Sequence, residues 1–221
     1  MDMLARAVRA AESATLFAGG VGSDEPGRTT LLVELADLGK ALAVAGRLEE
    51  SGRLLWTAMR PAEPELSAAQ LAVAVEWYAR VSRLLGRYAR SRAVLVEGIA
   101  LLEHVTDEVG LTLELGATAL SSGGADPEID RRLAGTGLHH DPVVRAQGLA
   151  LQGIVQIGRQ HPADALGPVR TAAALVDGCT DEELAGRLEA LYWLAEAERL
   201  LGRLDRSAEH YGRLLDVADL R

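Results

Sequence analysis

Cysteine, phenylalanine and lysine are almost missing from this sequence. Among 221 residues there is one cysteine, Cys179, one phenylalanine, Phe17, and one lysine, Lys40, and aromatics make up only 4%. A lone cysteine excludes an intrachain disulfide and fits a reducing compartment. No stretch approaches the ~20 apolar residues of a membrane-spanning helix. The opening "MDMLARAVRAAESATLF" is broken by Arg6, Arg9 and Glu12 before a signal-peptide core forms. The expected setting is cytoplasmic, with no membrane contact. Positive charge is also in deficit: 23 basic residues face 32 acidic ones, a formal charge of −9. Nonspecific affinity for nucleic acid comes from neutralising phosphates with Lys and Arg, so no direct contact of this segment with nucleic acid is expected. The β-branched and aromatic runs that build sheets are absent as well.

What remains is a chain that is 48% hydrophobic, rich in Leu, Ala and Val. These composition and propensity signals predict an all-α protein.

The strongest internal signal is repetition. "LLGRYARS" from Leu84 and "LLGRLDRS" from Leu200 are near copies, and "AGRLEESG" from Ala45 is a third. They align Gly46, Gly86 and Gly202, each five residues before a serine: Ser51, Ser91 and Ser207. "GRQHPA" adds a weaker echo, Gly158 before Ala163, so the glycine steps are 40, 72 and 44 residues; a degenerate unit around Gly123-Gly124 divides the long one. Apolar residues at three-to-four-residue intervals flank each glycine, as in Leu31, Leu35, Leu38 and Leu42. Glycine tolerates the left-handed conformation that ends helices, so each marks a sharp stop between two antiparallel helices. Glu49, Glu50 and Asp205 follow at once, where a helix start favours negative charge. Small residues twelve apart, Gly39 with Ser51, Ala79 with Ser91 and Ala195 with Ser207, put one slender side chain on each arm of a hairpin.

These positions resemble the signature of the tetratricopeptide family. Leu35, Leu38-Gly39, Leu42, Ser51, Leu55 and Ala58 carry it in the first unit, Val75, Tyr78-Ala79, Ser91 and Leu95 in the second, and Leu191, Leu194-Ala195, Ser207, Tyr211 and Leu214 in the last. The last quarter also resembles the helical middle region of large ATP-binding transcription regulators of the LuxR type in actinobacteria. The resemblance implies a right-handed α-solenoid of about five antiparallel helix pairs plus an N-terminal helix, in one domain over residues 1–221. Helix pairs are expected near 29–60, 66–105, 108–136, 141–176 and 181–219, after a helix over 2–18 and a Gly-rich loop. Thr180 with Glu183 forms a capping box, and Asp141 before Pro142 is an N-cap.

Chemistry-bearing candidates are few. "AGGVGSD" from Ala18 lacks the Lys-Ser/Thr ending of a phosphate loop. "HHDP" from His139 offers His139, His140 and Asp141, but adjacent residues do not converge on a metal and no second pair has ligand spacing. Ser121, Ser122 and Cys179 have neither a nucleophile elbow nor a paired histidine. No catalytic residue, metal or cofactor is expected. Two surfaces stand out instead. Arg80, Arg83, Arg87, Arg90 and Arg92 fall within an acid-free run from Tyr78 to Arg92. Arg80, Arg83 and Arg87 are spaced to share a face near a helix end, either solvated and paired with Glu49, Glu50 or Glu76, or docking an acidic partner. Trp56, Trp77, Tyr192 and Trp193 either fill gaps between helices or line a ligand groove, and Tyr192 with Trp193 stand out as groove candidates because two adjacent aromatics cannot both face one core. The functional expectation is a noncatalytic sensor arm of a transcription regulator. It would receive a protein partner, neighbouring domains of its parent or a small-molecule effector. The alternative is a free-standing scaffold.

Overall fold

A computed structural model describes residues 25–59, 66–102, 108–124 and 127–219. The expected helix over 2–18 and the "AGGVGSD" segment lie outside the described residues. Eleven helices and no strand occur among the described residues: α1 (Glu25–Val44), α2 (Leu48–Met59), α3 (Ala68–Leu84), α4 (Tyr88–Leu102), α5 (Val109–Ser121), α6 (Pro127–Thr136), α7 (Pro142–Gly158), α8 (Pro162–Gly178), α9 (Asp181–Ala185), α10 (Glu189–Leu200) and α11 (Leu204–Ala218). They fall into two compact units that meet between Leu111 and Thr112, inside α5.

Among the described residues, five left-handed turns punctuate the chain. Gly46, Gly86, Gly123 and Gly202 have φ of 72–76°, and the fifth such residue is Gln160, φ 65°. Each closes a helix with the same pair of hydrogen bonds. The left-handed residue's N–H reaches the carbonyl three back, and the next N–H reaches five back: Gly86 to Arg83 at 2.9 Å and Arg87 to Ser82 at 2.7 Å, for example, and Gln160 to Ile157 and His161 to Gln156, both 2.9 Å. This is the Schellman arrangement, which satisfies carbonyls a helix end would otherwise leave orphaned.

The fourth unit therefore differs from the expected register. Gly158 is the last helical residue of α7, and Gln160 holds the turn. With that shift the five turns, Gly46, Gly86, Gly123, Gln160 and Gly202, are separated by 40, 37, 37 and 42 residues. Seven residues before each turn stands a buried small residue: Gly39, Ala79, Gly116, Gly153 and Ala195. Five after it stand buried Ser51, Ser91, Ala165 and Ser207; in the third hairpin, whose turn is longer, Ile129 comes six after.

The slender pairs are close because helices cross there. In the first unit the Ser51 hydroxyl donates to the Gly39 carbonyl at 2.7 Å. A Cβ on Gly39 would stand 2.7 Å from Leu55 Cγ, and one on Gly98 2.9 Å from Val75 Cγ1. Across the α7–α8 hairpin a Cβ on Gly153 would stand 2.5 Å from Val169 Cγ2, the same offset as Gly39 to Leu55. Glycine is needed at these crossings for space, whereas at Gly46, Gly86 and Gly202 it is needed for φ.

In the first unit, Leu32, Leu35 and Ala36 of α1, Ala58 of α2 and Ala74 of α3 bury together with Leu66. Leu55 packs with Tyr78 and Val81 of α3, and Leu48 and Met59 pack against the same cluster. In the second unit α7 packs on α6, α8 and α10. Asp141 caps α7 as expected, accepting from the Val143 N–H at 2.8 Å. Thr180 and Glu183 form the expected box. The helix it starts is interrupted at residues 186–188, so the last pair begins with two helices, α9 and α10. Arg213 of α11 ties this region together: its guanidinium donates to the Val176 carbonyl at 2.8 Å, the Cys179 carbonyl at 2.7 Å and Asp181 at 2.9 Å.

Candidate functional site

In the first unit the turn at Gly86 splits the arginine run. Arg80 and Arg83 belong to α3, while Arg87, Arg90 and Arg92 follow the turn. Arg87 therefore shares no helix face with Arg80 and Arg83, a correction to the spacing argument, because the left-handed turn redirects the chain between them. Arg80 pairs with Glu76 at 2.8 Å and stacks 4.6 Å from the Trp77 ring centroid. Arg83 is buried. Arg87 pairs with Glu49 at 2.6 Å, joining the N-terminal ends of α4 and α2 at the surface. Both acids were among the expected partners.

Arg90 is different. It is exposed, and its guanidinium carbon lies 6.0 Å from the ring centroid of Trp56. Trp56 is 43% exposed although its ring packs 5.4 Å from that of Tyr78. Arg53 is exposed three residues earlier on α2. An aromatic face beside a guanidinium group offers contacts to carboxylates and apolar side chains together. Trp and Arg dominate protein-recognition hot spots for this reason. The structure thus brings Arg90 to Trp56, which the sequence had separated.

In the second unit the adjacent aromatics part company. Trp193 is 7% exposed and points inward, while Tyr192 is 40% exposed; their rings meet edge-on at 4.9 Å. Tyr192 also faces Tyr211 of α11 across 6.3 Å. The Tyr211 hydroxyl donates to Glu196, which Arg199 grips from its other side at 2.7 Å. Burial first, and then Glu196, push the Tyr211 hydroxyl well above its ordinary value. Arg199 foremost, with Tyr211 adding, holds the Glu196 carboxyl below its own.

The residues missed from the sequence are Glu198 and His210. Both are fully enclosed, 0% and 3% exposed, with His210 Nδ1 2.7 Å from Glu198 Oε2. Arg203 and Asp177 stand 3.7 Å from the carboxylate and the imidazole respectively. The twelve-residue spacing that pairs Ala195 with Ser207 also pairs 198 with 210, one turn along; that was the available signal. Enclosed this way, the pair offers no access to a substrate and acts as a polar tie between α10 and α11.

The remaining candidates are placed as follows. His139 and His140 stack on one another at 4.3 Å, and His139 Nδ1 accepts the Asp141 N–H at 3.1 Å. Among the described residues no three His, Cys, Asp or Glu side chains gather as a metal site would need. Cys179 is buried at the end of α8, and burial, with Glu183 and Asp141, raises its thiol above the ordinary value, away from thiolate reactivity. Ser121 and Ser122 donate to the Ala117 and Ala119 carbonyls at 2.8 and 2.9 Å. No helix among the described residues is long and apolar enough to cross a membrane.

No protein-family model and no curated protein matches the chain. Solved structures of the TPR-like protein MamA do resemble it. One, "MamA RS-1 ArsTM double mutant", is 15% identical with a TM-score of 0.53, covering 89% of this chain and 96% of its own. Another, "MamA AMB-1 C2221", is 16% identical with a TM-score of 0.49, covering 84% and 97%. Together with the five Schellman-closed hairpins, the first likeness establishes that this chain has an all-α, tetratricopeptide-like fold.

Proposed function

We propose that this chain is a noncatalytic recognition module, a single repeat domain that binds an acidic segment of a protein partner at Trp56, Arg90 and Arg53. The observation that carries the reading is the half-exposed Trp56 ring with the Arg90 guanidinium 6.0 Å away. A buried structural tryptophan would not leave that much of an indole in water, and the adjoining guanidinium selects for carboxylates. The TPR-like fold supports a role in protein interaction rather than turnover. Arg87, three residues before Arg90, is held by Glu49. On the resemblance of the last quarter to LuxR-type regulators, such a module would serve as a sensor arm that passes binding on to neighbouring domains. As a free-standing adaptor it would use the same surface, and the coding sequence on either side distinguishes the two settings.

The test is binding of fluorescent acidic, neutral and basic peptides to the whole chain and to an Arg90→Glu, Trp56→Ala variant. Acidic peptides should bind best, weaken as salt screens the arginines, and lose at least tenfold in the variant while its circular dichroism is unchanged. Equal binding by both chains would remove this surface as the site.

A further inference from the structure

The last hairpin carries a second, separate surface. On α11, Leu204, Ala208, Tyr211 and Leu215 recur at steps of four, three and four residues, one stripe along the helix. Counted from the left-handed turn, they occupy the places of Leu48, Gly52, Leu55 and Met59 on α2. On α2 that stripe is covered by α3: Leu48, Leu55 and Met59 pack with Tyr78 and Val81, and a Cβ on Gly52 would lie 3.4 Å from Val81 Cγ1. On α11 the ends of the stripe are open, with Leu204 65% and Leu215 66% exposed. Leucines at both ends of an apolar stripe, left open among the described residues, mark a surface fit to be covered.

The register says what shape covers such a stripe: an amphipathic helix lying as α3 lies on α2. Charge says which kind. Helical spacing puts Asp205, Asp216 and Asp219, all exposed, along the flank of the stripe away from α10. On the flank toward α10, Arg199 is already neutralised by Glu196. A second copy of this chain fits poorly, because a two-fold antiparallel pairing through the stripe sets each aspartate flank against its own counterpart. The geometry points to a docking site on α11 for a basic amphipathic helix of a partner protein, its apolar stripe seated on Leu204, Ala208, Tyr211 and Leu215 and its Lys or Arg flank beside the three aspartates. This is a different surface from Trp56 and Arg90, with the opposite charge preference.

The probe is a displayed library of 16-residue helices with a fixed Leu/Ala/Val stripe and flanking positions drawn from Lys, Glu and Gln, panned on the whole chain. Winners should be Lys-rich on one flank. They should lose at least tenfold against Leu204→Lys, Leu215→Lys, a variant whose exposed changes leave the helix content intact, and turn Glu-rich against Asp205→Lys, Asp216→Lys. Binding to the Arg90→Glu, Trp56→Ala chain should be unaltered, so failure here and failure at the Trp56 surface are told apart. Glu-rich winners on the unaltered chain, or none above the double-lysine background, would overturn the proposal. So would a dimer by light scattering that Leu215→Lys dissociates, which would give the stripe to a second copy.

Discussion

Gln160 adopts a backbone conformation that four glycines adopt elsewhere in the chain. A side chain at positive φ costs about 1 kcal/mol against glycine, so Gln160→Gly should raise stability by up to that amount, while Gly86→Ala should lower it similarly. Urea midpoints measure both, and a destabilising Gln160→Gly would remove Gln160 from the turn series. At the same scale, Glu198 and His210 bury a carboxylate–imidazole contact at 2.7 Å. Removing one partner leaves the other enclosed, so His210→Leu should cost on the order of 3 kcal/mol, with the Glu198→Leu, His210→Leu double variant costing less than the sum of the singles. Additive losses in that cycle would show the two groups to be uncoupled. Gln160 could not be read from the residues beforehand, because glutamine has no left-handed signature, whereas the Glu198–His210 pair was announced only by the twelve-residue spacing it shares with Ala195 and Ser207.

Among the elements, the α10–α11 hairpin carries a pH-sensitive link. Glu196 is held below the ordinary carboxylate value, so its contribution is present above the unfolded value and is lost as pH falls through the folded one. The Tyr211 hydroxyl is held above its ordinary value, so its contribution is present below about 10 and is lost as pH rises through the folded value. Tyr211→Phe should therefore lower Tm most around neutral pH, with the gap to the unaltered chain narrowing toward pH ~3 and above pH ~10. A gap constant across that span would show that the hydroxyl contributes through packing alone. The helix ends were legible because their signals are local: Thr180 with Glu183, Asp141 before Pro142, and Gly46, Gly86 and Gly202 all act within one turn of backbone. The interruption at residues 186–188 was not legible, since Gly186 there keeps ordinary helical angles, φ −59° and ψ −30°.

Taken as a whole, the molecule is a tandem series of hairpins written in one register over two compact units. Its repeat was plain where a turn glycine stands five residues before a serine, and faint at Gly123, where Ile129 comes six after, and at Gln160, where Gly158 stood in for the turn; the 72-residue step from Gly86 to Gly158 spans the Gly123 unit. The sites were less legible than the fold. Arg90 meets Trp56 only because α2 and α4 both lie against α3, and Tyr192 separates from Trp193 only because α10 buries one of its faces. Such meetings depend on packing between helices far apart in sequence. The acid-free run did point to α4, but five arginines in a line could not reveal which of them Glu49 and Glu76 would take.

The common register is tested most directly in the fourth hairpin, where two alanines two residues apart have opposite environments: Ala163 is exposed and Ala165 is 0% exposed. Thermal and urea denaturation of Ala163→Trp and Ala165→Trp decides between them. Overpacking a crossing typically costs about 1–3 kcal/mol or more, so Ala165→Trp should unfold well below the unaltered chain while Ala163→Trp stays within about 0.5 kcal/mol of it. The reverse order would contradict the register and the repeated hairpins built on it.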